Sequence, residues 1–300
     1  MHSQNFIIHD YFLQNENTKL PFSIRFDSGV VGPHVIVMGC VHGNELAGGQ
    51  ALMRLHKSLL SGKLALVYGS VTMILGNPQA VLEHKRFIDE NLNRVTKLTK
   101  NSSYEAKCMR QIRSYFKSNP AKIMLDLHSV SVGNFKMVVS YEEDYPGIDF
   151  IRSISDIPMI ILAPKKLLPG TTAYHSADFG IPGVSVECGN HNHNQTKNVA
   201  YDHIIALLGV YNMIQRQSKK SKIAKKLTVY HIFALITPKP GFAFMKDDIK
   251  TGSKLKKNEV YAKYNGGQHI APKDCYVLMP DKNPSLKDTD AGFLVTKTMI

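Results

Sequence analysis

The sequence predicts an α/β layer fold followed by a smaller, mostly β segment. Three observations carry this. Across the first two thirds of the 300 residues, short apolar runs alternate with helical patterns. Most of those runs are too continuously apolar to leave a wet face, as strands covered on both sides require. From about Leu227 the texture changes to short β-like pieces broken by Gly, Pro and Lys turns.

In chain order, "HVIVMGC", "VTMILG", "KIMLDLH", "FKMVVS", "MIILA" and "VSVECG" read as strands. After the first of them, Glu45 to about Leu60 carries Leu46, Leu52, Met53, Leu55 and Leu59 near helical spacing, with Asn44 as a candidate cap. Ser102 and Glu105 have capping-box spacing before Ala106, Met109, Ile112 and Phe116, which share one helical face. Another helix is expected from Asp202 to about Gln217, with Ile204, Ile205, Leu208, Tyr211 and Ile214 inward. The lysine run "KKSKIAKK" at 219–226 reads as a linker. The expected organisation is therefore a catalytic α/β domain over 1–218, the linker, and a mostly β domain over 227–300.

Composition narrows the function classes. A formal charge of +13 admits nucleic acid, an acidic membrane surface or small anionic substrates as partners. Much of the excess lies in the Lys-rich C-terminal third, without interleaved aromatics and without a recognition-helix or zinc-finger pattern. Solvated lysines explain it, so neither nucleic acid nor membrane is an expected partner. No signal peptide and no membrane-spanning run is apparent. The four cysteines, Cys40, Cys108, Cys188 and Cys275, form no CxxC pair. Reduced thiols in a cytoplasmic protein are expected. A homo-oligomer is left open.

The chemistry concentrates where apolar strands run out. "VIVMGCVHGNELAGG" (35–49) begins as a buried strand and ends as a helix, with His42 and Glu45 at the turn between them. A polar turn would account for the pair, and so would two ligands of one metal ion. A catalytic zinc site takes three protein ligands and leaves one position open. His128, in "IMLDLHSVSVGN", follows an apolar strand as His42 does, and Asp126 on the same strand face can orient its imidazole. His191 and His193 lie in a polar loop with no apolar strand immediately before them.

Hydrolysis also needs a base and a cation for the developing oxyanion. Glu187 ends the apolar strand of "VSVECGNH", where a carboxylate is costly unless paired or used. The segment "HKRFIDENLNR" (84–94) adds Arg86, Asn93 and Arg94, a set suited to gripping a carboxylate in a guanidinium fork.

"HGNE" (42–45), "RFIDENLNR" (86–94), "DLHS" (126–129) and "VECG" (186–189), in this order, resemble the succinylglutamate desuccinylase/aspartoacylase family, a branch of the zinc carboxypeptidase-like fold. The resemblance implies a mixed central sheet flanked by helices and one zinc ion held by His42, Glu45 and His128. It implies Glu187 as the general base, Arg86 near the scissile carbonyl, and Asn93 with Arg94 on the carboxylate of the amino-acid half. It places Asp89 in the loop, paired with a neighbouring basic group.

Two departures concern the substrate. Members that cut N-acetylaspartate carry an arginine upstream of the Glu motif, whereas "TTAYHSADFGIPG" (171–183) has none and offers His175 near that place. Members also use a tyrosine from the C-terminal domain, where this chain reads "DAGFLV" and offers Phe293. The expected activity is removal of an acyl group from an N-acyl amino acid by zinc-assisted hydrolysis. A zinc carboxypeptidase acting on short peptides is the alternative, and a non-enzymatic basic binding protein is a third.

Overall fold

The structure, a computed structural model, describes residues 3–299 except 100, 132, 135, 144–145, 147–150, 152–158, 216–226, 285 and 287–289. The expected linker at 219–226 lies outside the described residues.

Helix α1 (Gln4–Asn15) opens the chain, followed by β1 (Ser23–Asp27), β2 (His34–Gly39), α2 (Leu46–Leu60) and β3 (Ser70–Leu75). Then come α3 (Pro78–Leu82), α4 (Tyr104–Ser118), β4 (Ile123–Val130), β5 (Met137–Tyr141) and β6 (Met159–Ala163). Helix α5 (Thr172–Ala177), β7 (Gly183–Asn190) and α6 (Thr196–Val210) complete the part before residue 216. The remainder is β8 (Thr228–Leu235), β9 (Ala243–Phe244), β10 (Lys254–Leu255), β11 (Val260–Tyr264), β12 (Gly267–Ile270), β13 (Cys275–Leu278) and β14 (Phe293–Met299).

The central sheet has eleven strands in the order β1-β3-β2-β4-β7-β5-β6-β8-β14-β13-β10. It is mixed: β3, β2, β4 and β7 run parallel, while β5 is antiparallel to β7. Alternation along each strand divides the core into two layers. Val35, Val37, Leu125, Leu127, Val184 and Val186 pack with Ile8 and Phe12 of α1, Leu52 and Leu55 of α2, and Ile204 and Leu208 of α6. Ile36, Met38 and Met124 face the opposite way, onto Ala106, Met109, Ile112 and Phe116 of α4. Fully burying a side chain of this size stabilises the fold by about 1.5–3 kcal/mol.

The β-rich tail differs from a separate domain in one respect. β8 pairs parallel with β6, and β14, β13 and β10 continue the same sheet. β9, β11 and β12 form a three-stranded sheet of their own. A small core of Ile236, Ile249, Leu255, Tyr261, Val277 and Leu294 binds the tail together.

Three local expectations shift. Helix α6 spans Thr196–Val210, and Ile214 lies beyond it in a bridge with Leu66. Ser103, one residue later than Ser102, caps α4 by accepting the Ala106 N–H. Glu45, not Asn44, occupies the cap position of α2 and makes no side-chain cap bond, because its carboxylate is turned into the site described next.

Candidate metal centre

The site forms at the carboxyl ends of β2, β4 and β7. β2 ends at Gly39, and Cys40 turns the chain with φ at 56°. His42 and Glu45 follow in the turn before α2. That turn packs closely on α3: a Cβ at Gly43 would lie 2.1 Å from the Ala80 carbonyl carbon. The Gly43 N–H donates to the Arg86 carbonyl at 3.1 Å, which joins the turn to the arginine loop.

His42, Glu45 and His128 are buried, and their ligand atoms all lie within 4.8 Å of one another. Glu45 Oε1 faces His42 Nδ1 at 2.7 Å, and its Oε2 faces His128 Nδ1 at 3.1 Å. The other nitrogen of each ring is committed elsewhere. His42 Nε2 donates to Asn91 Oδ1 at 3.1 Å, an oxygen that also accepts the Asn93 N–H. His128 Nε2 donates to Asp126 Oδ2 at 2.9 Å. With both Nε2 atoms engaged elsewhere, both Nδ1 atoms face the Glu45 carboxylate, and a cation taking the place of any Nδ1 proton would meet their lone pairs together with that carboxylate. Three electron-pair donors pointed at one spot fit a cation, and an outer partner fixing each imidazole is the usual support of a metal-bound histidine. The donor set of two imidazoles and one carboxylate suits zinc.

Electrostatics within the cluster are strong. Burial, with the Arg86 charge beside it, pushes the His42 imidazole down to about 4. Burial opposes charge on His128 too, but the Asp126 and Glu45 carboxylates together outweigh it and raise that imidazole well above its usual value. For Glu45, burial is overcome by the two histidines, which hold its carboxyl well below the usual range.

Glu187 stands next to His128 in the parallel register of β4 and β7, so both side chains leave the sheet on one face. It is half-buried, and its Oε2 is fully buried with no hydrogen-bond partner among the described residues. Burial pushes its carboxyl up to about 7. An unpartnered buried carboxylate oxygen is unusual in a folded chain, and this one stands beside the candidate metal ligands.

Of the arginine loop, Arg86 reaches Glu45 Oε1 with Nη1 at 3.3 Å and is half exposed. Asn93 accepts the Thr172 N–H on its Oδ1 at 3.0 Å. Arg94 Nη1 donates to the Asn93 carbonyl at 2.8 Å and Nη2 pairs with Asp290 at 3.2 Å. The loop is held by Glu105, whose carboxylate accepts the N–H groups of Ile88, Asp89 and Glu90 and the Asn77 side-chain amide. Asp89 accepts the Tyr104 N–H at 2.7 Å, so it docks the loop on the start of α4 through a backbone amide and not through the expected basic group.

His175 and Phe293 stand apart from this cluster in their contacts. His175 Nε2 donates to the Val95 carbonyl at 2.8 Å and its Nδ1 accepts from Arg113 at 2.8 Å, which engages both ring nitrogens. Phe293 is 7 % exposed in β14, packed in the core layer that contains Leu278 and Val295. His191 follows β7 in a turn, where its backbone N–H donates to the Val130 carbonyl and its ring Nδ1 is buried without a hydrogen-bond partner among the described residues.

Sequence patterns did not single out Asn91, Thr172 or Asp290. Asn77, before Pro78, carried a legible cap signal, and it does accept the Ala80 N–H.

The arrangement agrees with what the chain resembles. The family model described as the succinylglutamate desuccinylase/aspartoacylase catalytic domain matches residues 31–207, more than half of the chain. A succinylglutamate desuccinylase of Shewanella frigidimarina is 36% identical over 106 residues, 31% of this chain and 31% of that protein. An N-acyl-aromatic-L-amino acid amidohydrolase (carboxylate-forming) B of Danio rerio is 24% identical over 183 residues, covering 56% of this chain and 58% of that protein. The chain thus spans about a third to three fifths of the length of these two relatives. The solved structure of a Vibrio parahaemolyticus succinylglutamate desuccinylase superposes with a TM-score of 0.72 at 18% identity, covering 92% of this chain and 86% of that one. Fold and motif order agree with the family match: the chain belongs to the succinylglutamate desuccinylase/aspartoacylase family.

Proposed function

We propose that the chain is a zinc-dependent amidohydrolase that removes the acyl group from an N-acyl amino acid. One observation carries the reading. Three buried electron-pair donors, His42, Glu45 and His128, converge beside a Glu187 carboxylate that has an unpartnered buried oxygen. The names of the relatives, a desuccinylase and an N-acyl amino acid amidohydrolase, support the substrate class.

Zinc held by the three donors supplies Lewis acidity at a carbonyl oxygen and acidifies water near neutral pH. The chain's residues supply the rest. Glu187 takes the proton from the attacking water and returns it to the leaving amine, a task that suits a carboxyl whose affinity for protons burial has raised. Arg86 offers guanidinium N–H donors to the oxyanion, and one such donor is typically worth about 3–4 kcal/mol. Asn93 and Arg94 orient the amino-acid half through its carboxylate. The products are a carboxylic acid and a free amino acid.

Among the described residues no helix is long and apolar enough to cross a membrane. The four cysteines are free thiols, which supports a cytoplasmic location.

The test is a screen of zinc-loaded protein against N-acyl amino acids with acidic, neutral and aromatic acyl groups, and against short peptides, read by amine release. The reading expects turnover in the first set. Cleavage of peptides alone would replace it with a carboxypeptidase.

A further inference from the structure

We infer that Thr172 is a positioning residue that ties the metal-binding end of β4 to the carboxylate-binding loop. The inference rests on the metal role proposed for His128 and goes beyond it in assigning the outer support. Thr172 Oγ1 donates to Asp126 Oδ2 at 2.5 Å, the same oxygen that accepts the His128 Nε2 proton. Thr172 and Asp126 are both fully buried. Asp126 Oδ1 has no partner among the described residues, so Oδ2 carries the contacts that aim the carboxylate. In a dry site such a hydrogen bond is strong, and its loss is costly.

The same residue acts in a second direction. Its backbone N–H donates to Asn93 Oδ1 at 3.0 Å. That commits the amide oxygen and makes the NH2 the end that Asn93 presents to an anion. One residue therefore fixes the tautomer of an imidazole aimed at the cation site and the orientation of an amide in the clamp.

The fold places it there deliberately. α5 lies directly on β7: a Cβ at Gly183 would meet the Ala173 Cβ at 2.5 Å, so only glycine admits this approach. Thr171 fixes the start of α5 by accepting the Tyr174 N–H, and its hydroxyl also pairs with the Tyr141 hydroxyl. With α5 seated so, the Thr172 side chain reaches Asp126 across 46 residues of sequence.

Thr172→Ala and Thr172→Ser separate this role from simple packing, since both are smaller than threonine and they differ by one hydroxyl. Zinc affinity is measured by competition with a chromogenic chelator, alongside thermal unfolding of the metal-free proteins. The expected result is zinc binding weakened about 10–100-fold in T172A, with most of the affinity recovered in T172S. Thr172→Val, which keeps the volume, is expected to behave as T172A. Wild-type affinity in T172A, or equal weakening in T172S and T172A, would overturn the inference while leaving the metal site standing. Wild-type protein that takes up no zinc would overturn the metal reading and this inference with it.

Discussion

Arg94 and Asp290 lie 196 residues apart in sequence, yet Arg94 Nη2 and Asp290 Oδ2 stand 3.2 Å apart. The pair joins the loop proposed to grip the substrate carboxylate to the segment that enters β14. Both side chains are mostly shielded, at 22 % and 18 % exposure, so the pair is stronger than a solvated surface bridge.

Asp290→Asn should therefore cost about 1–2 kcal/mol of stability, measured by urea unfolding. A double-mutant cycle with Arg94→Met should recover a coupling energy of about 1 kcal/mol. Additive effects of the two changes would show that the contact holds nothing.

Glu105 is fully buried and accepts four N–H groups, three of them backbone amides of residues 88–90. In Glu105→Gln an NH2 group is turned onto amide donors and the charge is lost. Stability should fall by about 2–4 kcal/mol, and substrate affinity should fall with it because the loop carries Arg86, Asn93 and Arg94. An unchanged denaturation midpoint would remove Glu105 from this role.

Glu187→Gln keeps the shape of the side chain and removes the proposed base. Zinc content should be unchanged, while turnover of an N-acyl amino acid falls by roughly 10²–10⁴. A variant that turns over at the wild-type rate would take the base from Glu187.

His175 is held neutral, since burial and then the Arg113 charge oppose the proton, although the Val95 carbonyl favours it; the net direction is downward from 6.5. Its contacts agree: Nδ1 accepts from Arg113, and a proton there would face another N–H. The folded state then binds fewer protons than the unfolded one below the ordinary imidazole pKa. Stability contributed by this group is present above 6.5 and is lost as pH falls through the depressed folded value. Unfolding free energy measured from about pH 7 to about pH 5 should fall less steeply in His175→Gln, whose amide can make both contacts. Equal slopes would show that the ring binds protons equally in the folded and unfolded states, contrary to the downward shift.

Much of this was legible in the sequence. The six strands from "HVIVMGC" to "VSVECG" are legible because strands covered on both faces are nearly all apolar, and His42, Glu45, His128 and Glu187 stand out at their ends. Helix α1 was missed for a physical reason. Phe6, Ile7 and Leu13 are exposed while Ile8 and Phe12 are buried, so apolar residues ring the helix and show no single stripe. The tail's strands were expected, but periodicity names no partner, and only pairing with β6 reveals that β8 extends the central sheet. Glu105 carried a capping-box spacing yet serves the loop, because its carboxylate meets three backbone amides there. Thr172 and Asp290 act through contacts that close only in three dimensions, and nothing local in the sequence marks them.

The most direct test of the account is amine release from N-acyl amino acids by one preparation in three states: zinc-loaded, stripped by a chelator, and reloaded. Turnover is expected in the first, its loss in the second and its return in the third, with zinc bound at one ion per chain. Turnover that survives stripping, or zinc-loaded protein that releases amine from no N-acyl amino acid, would contradict it.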